Sequence, residues 1–587
     1  MKSRLPQPKH IGFRRMPIAL VAVSAVALML GSVNAPALGA TAASSTEVRP
    51  FEPADGEGPD ITAPKSNAPS HVPAVNVPRV NGLPIAADPT SKLIEGLSLK
   101  DQRDSNGGNS FSLEPPDQAL CVGATEVIEG VNNVFATYSR AGTRTSGPQS
   151  YSPFWSGLSE IDRTKTPPVY GPFFSDPKCY YDPELGRFFM TELQLGTNPT
   201  TGAFTGDSFV DVAVSKSGTP SVSSSDWYMY KLNVRNDGTQ GTPSHAGCPC
   251  LGDQPLIGAD RFGFFVSTNE FPIAGTGFNG AQIYAFDKAA LATGTMKVQR
   301  IESPNTPLAE GTAYSVQPAT SPSAADWSNS ANGTEYALSA LEFTGGYDNR
   351  IATWAFTNTA SLRTASPQVK VSKVVIGSEV YGMPPKARQK AGSLPLGSTL
   401  KAKENLLDTN DDRMQQTVYA GGKLWSGLNT AVKTNNGPTR TGIAYFVVSP
   451  AVQADAVAAT MSYQSYVAVN RDYLFYPSIG VAPGGTKAAV VFSLSGDDYY
   501  PSTAFVRLAG TGRVASAVRL SAAGKRAADG FTGYPAYGGN GVERWGDYSV
   551  AVGDEGGTIW MAAEYIPGTF GYPPYLANWG TAVSTTR

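Results

Sequence analysis

The chain has 587 residues, more than one ordinary hydrophobic core needs. Only 16% are charged, and a net charge of −2 lacks the basic footprint of a nucleic-acid-binding protein. The 62 glycines, 45 prolines and 10% aromatic content are the profile of an all-β chain with many turns.

The first 40 residues read as a signal peptide. Lys2, Arg4, Lys9, Arg14 and Arg15 form a basic start, an apolar run follows from Pro17 to Leu30, and Ala35, Ala37 and Ala40 offer cleavage points. The Arg14-Arg15 pair hints at twin-arginine export. The apolar run is short for a stable membrane span, so cleavage, secretion and no span in the mature chain are expected. From 41 to 110, repeated prolines between Pro50 and Pro89 and few large apolar residues argue for a disordered Pro-rich linker. Residues 111–587 form the ordered domain.

Within that domain a similar hairpin recurs seven times. In six of the seven, the start of one strand is followed 16 or 17 residues later by a polar residue ending the next strand. The pairs are Asp117 with Asn133, Asp176 with Glu192, Asp253 with Glu270, Arg413 with Asn429, Tyr476 with Ser493, and Asp547 with Glu564. A longer unit pairs Gln317 with Glu342. Outer-strand signals follow, as in Phe209 to Val214, Gln282 to Phe286, Gly442 to Val448 and Asp226 to Leu232. Asp287 to Leu291 makes at most one helical turn. One small sheet cannot bury both faces alone, so the repeat predicts a radial array, a seven-bladed β-propeller.

In such an array the first strand of each blade lines the channel and the second runs antiparallel beside it. The start of one and the end of the other meet at one rim. Asp176 then stands near Glu192, and Asp547 near Glu564, as carboxylate pairs able to divide acid and base roles in glycoside hydrolysis. Asp117, Asp253, Glu270, Arg413, Tyr476, Arg544, Trp545 and Tyr548 are the ligand-binding candidates of this acidic rim. Its carboxylates suit Ca²⁺, and its aromatic faces suit a sugar ring. The competing structural reading has each Asp accept backbone N–H groups at a strand start. A one-residue slip would turn every side chain to the other face, and Gln254 fits the pattern nearly as well as Asp253. The main expectation is a secreted monomer binding a glycan, a peptide, a cation or another cell-surface ligand at the rim. A glycoside hydrolase using the paired carboxylates is the alternative.

Four cysteines in an exported chain suggest two disulfides. Cys121 and Cys179 occupy matching places on consecutive inner strands, so a bridge between them is expected, leaving Cys248 and Cys250 to pair locally or stay free. Only His71 and His245 remain after export, and His71 lies in the linker, which argues against a zinc site of the Cys/His kind.

Several stretches carry a resemblance: Pro115-Pro116-Asp117, Ser175-Asp176-Pro177 with Tyr181-Asp182 and Gly186-Arg187-Phe188, Asp412-Arg413-Met414-Gln415, Tyr476-Pro477-Ser478, and Arg544-Trp545-Gly546-Asp547-Tyr548. On these the chain resembles a set of secreted bacterial β-propeller proteins of unassigned activity, which implies the fold and little about chemistry. A looser similarity is to sialidase-like propellers. Asp554-Glu555-Gly556-Gly557-Thr558-Ile559-Trp560 is similar to their Asp-box turn, S-x-D-x-G-x-T-W, with one extra residue and no Ser. Sialidases also use three arginines against the substrate carboxylate. Arg413 and Arg544 would be two of them, and no third is placed.

Overall fold

The computed structural model describes residues 76–88, 91–302, 308–309, 311–341, 346–568 and 578–587. The expected signal peptide, the Pro-rich segment up to residue 75 and Glu342 lie outside the described residues.

The strands group into antiparallel meanders, taken here in chain order. The first comprises Ala119–Val122, Glu126–Val131, Val134–Ser139 and Arg144–Ser150. The second comprises Phe173–Asp182, Arg187–Thr197, Phe204–Ser215 and Trp227–Asn233, and the third Cys250–Ala259, Gly263–Pro272, Gly280–Asp287 and Val298–Ile301. The fourth is Gln317–Thr320, Thr334–Ala340, Tyr347–Thr357 and Lys370–Gly382. The fifth is Thr417–Ala420, Lys423–Thr434, Thr439–Gln453 and Ala456–Val467, joined to the fourth by a short parallel pairing of Ala319 with Thr417. The sixth is Asp472–Val481, Lys487–Gly496, Ser502–Ala509 and Val518–Ala522. The last contains Val550–Gly553, Ile559–Tyr565 and Gly580–Thr586, and its fourth strand is Lys92–Ser98 from the other end of the chain.

Alternating side chains give each sheet two apolar faces, and the core lies between neighbouring faces rather than in one centre. Ile128 and Phe135 of the first meander meet Phe188 and Met190 of the second. Phe189 and Phe264 join the second to the third, with ring centroids 5.0 Å apart. Trp354, Phe446 and Phe492 lie in the interfaces that follow. Val491 and Phe505 pack on Met561, and Val127 and Ala136 of the first meander share a cluster with Trp560 and Val583 of the last. The expected single helical turn is Lys288–Leu291, capped by the Asp287 carboxylate accepting from Ala290 N at 3.2 Å.

One expectation is corrected. Residues 79–108, read as part of a disordered linker, form Arg79–Val80, Ile85–Ala87, Lys92–Ser98 and the helix Leu99–Gly108. Prolines at wide spacing tolerate short extended pieces, and each piece here is stabilised by pairing with a distant strand. Ser98 and Asp101 cap the helix reciprocally, Ser98 N donating to the Asp101 carboxylate at 3.0 Å, and Leu97 and Leu99 are fully buried. Among the described residues no helix is long and apolar enough to cross a membrane.

Candidate functional site

One backbone device recurs within the first strands or just before them. Asp117, Asp176, Gln254, Ser315 and Tyr476 have φ of 34°, 62°, 49°, 43° and 54°, the left-handed region that non-glycine residues seldom adopt. At Asp176, Gln254 and Tyr476 the residue sits in a β-bulge and is followed by proline. The turn aims the residue's N–H sideways at the preceding meander. Asp176 N donates to Asn132 Oδ1 at 3.0 Å, Gln254 N to Asp176 Oδ2 at 3.0 Å, Ser315 N to Asn269 Oδ1 at 2.9 Å, and Tyr476 N to Asn429 Oδ1 at 2.7 Å. Gln317 Nε2 donates to Met414 O, Trp545 Nε1 to Ser493 Oγ, and Asp547 N to Asp117 Oδ1. This chain of links runs through all the meanders and returns to the first.

Of the acidic residues singled out in the sequence, Asp117, Asp176 and Asp547 are members of these latches, and Asp253, Glu192, Glu270 and Glu564 are not. Asp117, Asp176, Glu192, Glu270 and Glu564 are all buried, and Asp547 and Asp253 are half-buried. Glu564 accepts from Gly546 N at 2.9 Å. Glu192 lies opposite Asp211 on the next strand, inside the sheet. Arg413 is clamped by Asp411 through Nε at 2.8 Å and donates to Gln254 Oε1 at 2.8 Å. Arg544 pairs with Asp547 at 3.0 Å, and Tyr476 and Trp545 are buried against Phe475. The connections preceding the first strands interlock over this end: the Glu114 carboxylate accepts from Phe531 N and Thr532 N, and Asp529 from Leu396 N and Gly397 N.

Three corrections of register follow. Asn132, not Asn133, latches the second meander, and Asn269, not Glu270, latches the fourth. Gln254 rather than Asp253 is the counterpart of Asp176. Glu270 turns away into a separate cluster with His245 and Asn279.

Burial sets the electrostatics. It pushes the Asp176 carboxyl up to about 6, reinforced by the Asp117 charge and opposed by Lys178. It also raises Asp117 and Glu564 and lowers the Lys178 ammonium, whose three carboxylate neighbours, Asp117, Asp176 and Asp547, resist the fall. Lys178 Nζ lies over the face of Tyr548, whose hydroxyl donates to Pro177 O at 3.1 Å.

A cavity of about 350 Å³ runs along the first strands, from Gln118, Lys178, Gln254, Gln317, Gln415 and Tyr548 at its inner end to Ala124, Pro183, Pro322 and Glu555 at the other. Ala124, Glu555 and Gly556 are exposed, so the cavity opens at the end away from the acidic latches. None of the four carboxylates expected to be catalytic lines it. Three glutamines do, buried and incompletely partnered. Gln118 is 1% exposed and neither its Nε2 nor its Oε1 has a hydrogen bond among the described residues. Among the described residues Gln254 and Gln415 have no partner for Nε2. Polar groups at such depth are ordinarily satisfied, and here the open space beside them is the cavity. Sequence reasoning missed these amides because neutral glutamines carry no charge pattern. Their one signal was recurrence at matching places in the repeated unit: Asp117-Gln118, Gln254-Pro255, Gln317-Pro318 and Gln415-Gln416.

At the mouth the Asp-box-like stretch forms a tight turn. Asp554 Oδ1 accepts from Thr558 N at 2.8 Å and Oδ2 from Trp560 Nε1 at 3.1 Å. Arg140 pairs with Asp554 and covers the Trp560 ring. Cys121 and Cys179 stand beside the cavity at disulfide distance, with Cα atoms 5.3 Å apart, as expected. Cys248 and Cys250 are also at disulfide distance, with Cα atoms 4.4 Å apart.

No protein-family model and no curated protein matches this chain. Among solved structures it is similar to the sialidase of Trypanosoma rangeli, at 10% identity and a TM-score of 0.34, over 85% of this chain and 60% of that one. An exo-β-1,3-galactanase from Clostridium thermocellum matches at 10% identity and a TM-score of 0.26, over 72% and 82% of the two chains. The α-L-arabinanase of Cellvibrio cellulosa matches at 10% identity and a TM-score of 0.25, over 69% and 94%. The chain thus spans about three fifths of the sialidase's length, and likeness of this extent carries neither a family nor a function.

Proposed function

We propose that the meanders are seven blades of one β-propeller, exported as a monomer, and that its central cavity binds a saccharide. The observation that carries this reading is the set of buried glutamine amide groups beside the cavity, on Gln118, Gln254 and Gln415, that have no hydrogen-bond partner among the described residues. A sugar hydroxyl donates and accepts at once, so it satisfies amide oxygen and amide N–H alike. A bound carboxylate would satisfy only the donors. Gln254 illustrates the preorganisation: Arg413 holds its Oε1 and leaves Nε2 for the cavity. Tyr181 adds an aromatic wall, and the volume falls within the ordinary range of small-ligand pockets, about 300–1,000 Å³.

Binding is favoured over hydrolysis on geometry. Glycoside hydrolysis needs two carboxyl groups flanking the scissile bond. Asp176, Glu192 and Glu564 are buried outside the cavity lining, and at the mouth Asp554 is committed to its turn and to Arg140. The test is a saccharide panel screened by calorimetry against the mature protein, with Gln118→Leu and Gln415→Leu as probes. Both variants should lose binding while folding as well as the parent, since removing an unsatisfied buried amide is close to neutral. Undiminished binding by both variants, or no saccharide bound at all, would refute the assignment.

A further inference from the structure

Away from the cavity, the loop before the third meander gathers two sulfurs, an imidazole and a carboxylate. Cys248 and Cys250 flank Pro249, and Cys250 begins the meander's first strand. Glu270 comes from the second strand, where it lies opposite Gly252. The ligand atoms of Cys248, Cys250 and Glu270 all lie within 4.8 Å of one another. Cys248 Sγ is 3.8 Å from Glu270 Oε1, and His245 Nδ1 reaches the same oxygen at 2.7 Å. The His245 side chain is 7% exposed and the Glu270 side chain 1%. Asn279 supports the group from outside, its Nδ2 donating to Glu270 Oε1 at 2.9 Å and facing the two sulfurs at 3.7 and 3.6 Å.

Two thiolates and a carboxylate at this spacing are three ligands for Zn²⁺, and the His245 imidazole, hydrogen-bonded to the same carboxylate oxygen, stands beside them as the fourth of a tetrahedral set once that contact lengthens. Ligands of one such ion, held at about 2.0–2.3 Å from the metal, stand about 3.3–3.8 Å from each other, and the Cys248–Glu270 separation already has that value. The two sulfurs do not meet the requirement while they are bonded, because a disulfide fixes them about 2.05 Å apart. We infer that the reduced Cys248/Cys250 pair, with His245 and Glu270, binds one Zn²⁺, and that forming the Cys248–Cys250 disulfide releases it. A dithiol reductant opens the bond by exchange, giving up two electrons and two protons and leaving as its own disulfide. The two cysteine thiols then lose their protons as they ligate the metal. In the reverse direction a small disulfide oxidant takes the two electrons, and Zn²⁺ departs as the protein's S–S bond closes. Counting histidines in the sequence argued against zinc. Glu270 supplies the missing ligand, and only the strand pairing brings it to the loop.

The experiment uses the full mature chain, reduced with a phosphine, freed of reductant without air, and titrated with Co²⁺ and then Zn²⁺. One equivalent of Co²⁺ should bind with a thiolate-to-cobalt charge-transfer band, and Zn²⁺ should displace it. The oxidised chain should give no band. Cys248→Ser/Cys250→Ser should lose the site, His245→Ala and Glu270→Gln should bind at least tenfold more weakly, and Asn279→Ala should weaken binding about 10- to 100-fold. The inference is overturned by a reduced wild-type chain with no charge-transfer band. It is also overturned by an undiminished band in Cys248→Ser/Cys250→Ser, which would put the metal on Cys121 and Cys179. The wild-type readout stands even if a variant fails to fold.

Discussion

Asp211 offers a test of how this fold accommodates buried acids. It lies on the third strand of the second meander, fully buried, between Glu192 and Lys231 in the strand register, and neither carboxylate oxygen has a hydrogen-bond partner among the described residues. Burial pushes its carboxyl from 3.8 up to about 7, with the Lys231 charge opposing. The folded state therefore holds this proton more tightly than the unfolded state does. The stability it contributes is fully present below about pH 4 and is lost as pH rises through about 7. Three pKa units correspond to an upper bound of about 4 kcal/mol. Asn mimics the protonated acid at every pH, so Asp211→Asn should exceed the parent by only about 1–2 kcal/mol at pH 5 and by about 3–4 kcal/mol at pH 8. For about 500 residues unfolding together, the entropy of unfolding is about 1 kcal/mol per kelvin, which makes the gain about 3–4 °C in Tm. Differential scanning calorimetry of both proteins at pH 5 and pH 8 reads this directly. A difference in Tm that does not change between the two pH values would refute the reasoning, since any effect of the amide itself is common to both.

Other outcomes follow from the same geometry. Asp176→Ala should cost about 2–5 kcal/mol in thermal melts, combining an orphaned Gln254 N–H with a left-handed backbone that Ala adopts poorly; Asp176→Asn, which keeps an acceptor, should cost less. Asn429→Ala leaves Tyr476 N and Thr409 O without their partner and should destabilise by about 1–3 kcal/mol in urea unfolding, with the saccharide affinity of the remaining folded protein unchanged. Replacing Cys121 and Cys179 together by Ala opens a loop of sequence separation 58, which the chain-entropy relation values at about 4 kcal/mol, measurable as a loss of denaturation midpoint. A lower Tm for Gln118→Leu by more than a few degrees would show that the amide is satisfied within the protein and speak against the ligand site.

The hairpins were legible because a strand–turn–strand unit writes its period locally. Tyr180–Tyr181 and Phe188–Phe189 flank Gly186, whose φ of 62° turns the chain, and no distant information is needed to see it. The residues marking each strand start were legible too, but not their orientation. Asp176 and Asn429 attract notice as polar residues at repeated places, and only the bulge reveals that they answer N–H groups of a neighbouring sheet. The register error at Asn133 and Glu270 has the same origin, since a bulge shifts which face a side chain takes and leaves little trace in composition. The cavity amides were hidden for another reason: an unsatisfied donor is a property of surroundings, and Gln118 looks like any polar neighbour of Asp117. The strand Lys92–Ser98 was invisible because its partner lies almost the whole chain away.

That pairing has a kinetic consequence. Lys92 lies beside Thr585 and Glu95 beside Ala582, so the last sheet acquires its outer strand only when chain segments separated by nearly the full length have met. Contacts of such separation carry a large loop-closure entropy and slow the search for the native arrangement. Until Gly580–Thr586 is available, Lys92–Ser98 and Ile559–Tyr565 each present an unpaired strand edge to solvent and to other chains. A nascent or clipped chain lacking that segment is therefore an aggregation hazard rather than a slightly shorter version of the same protein.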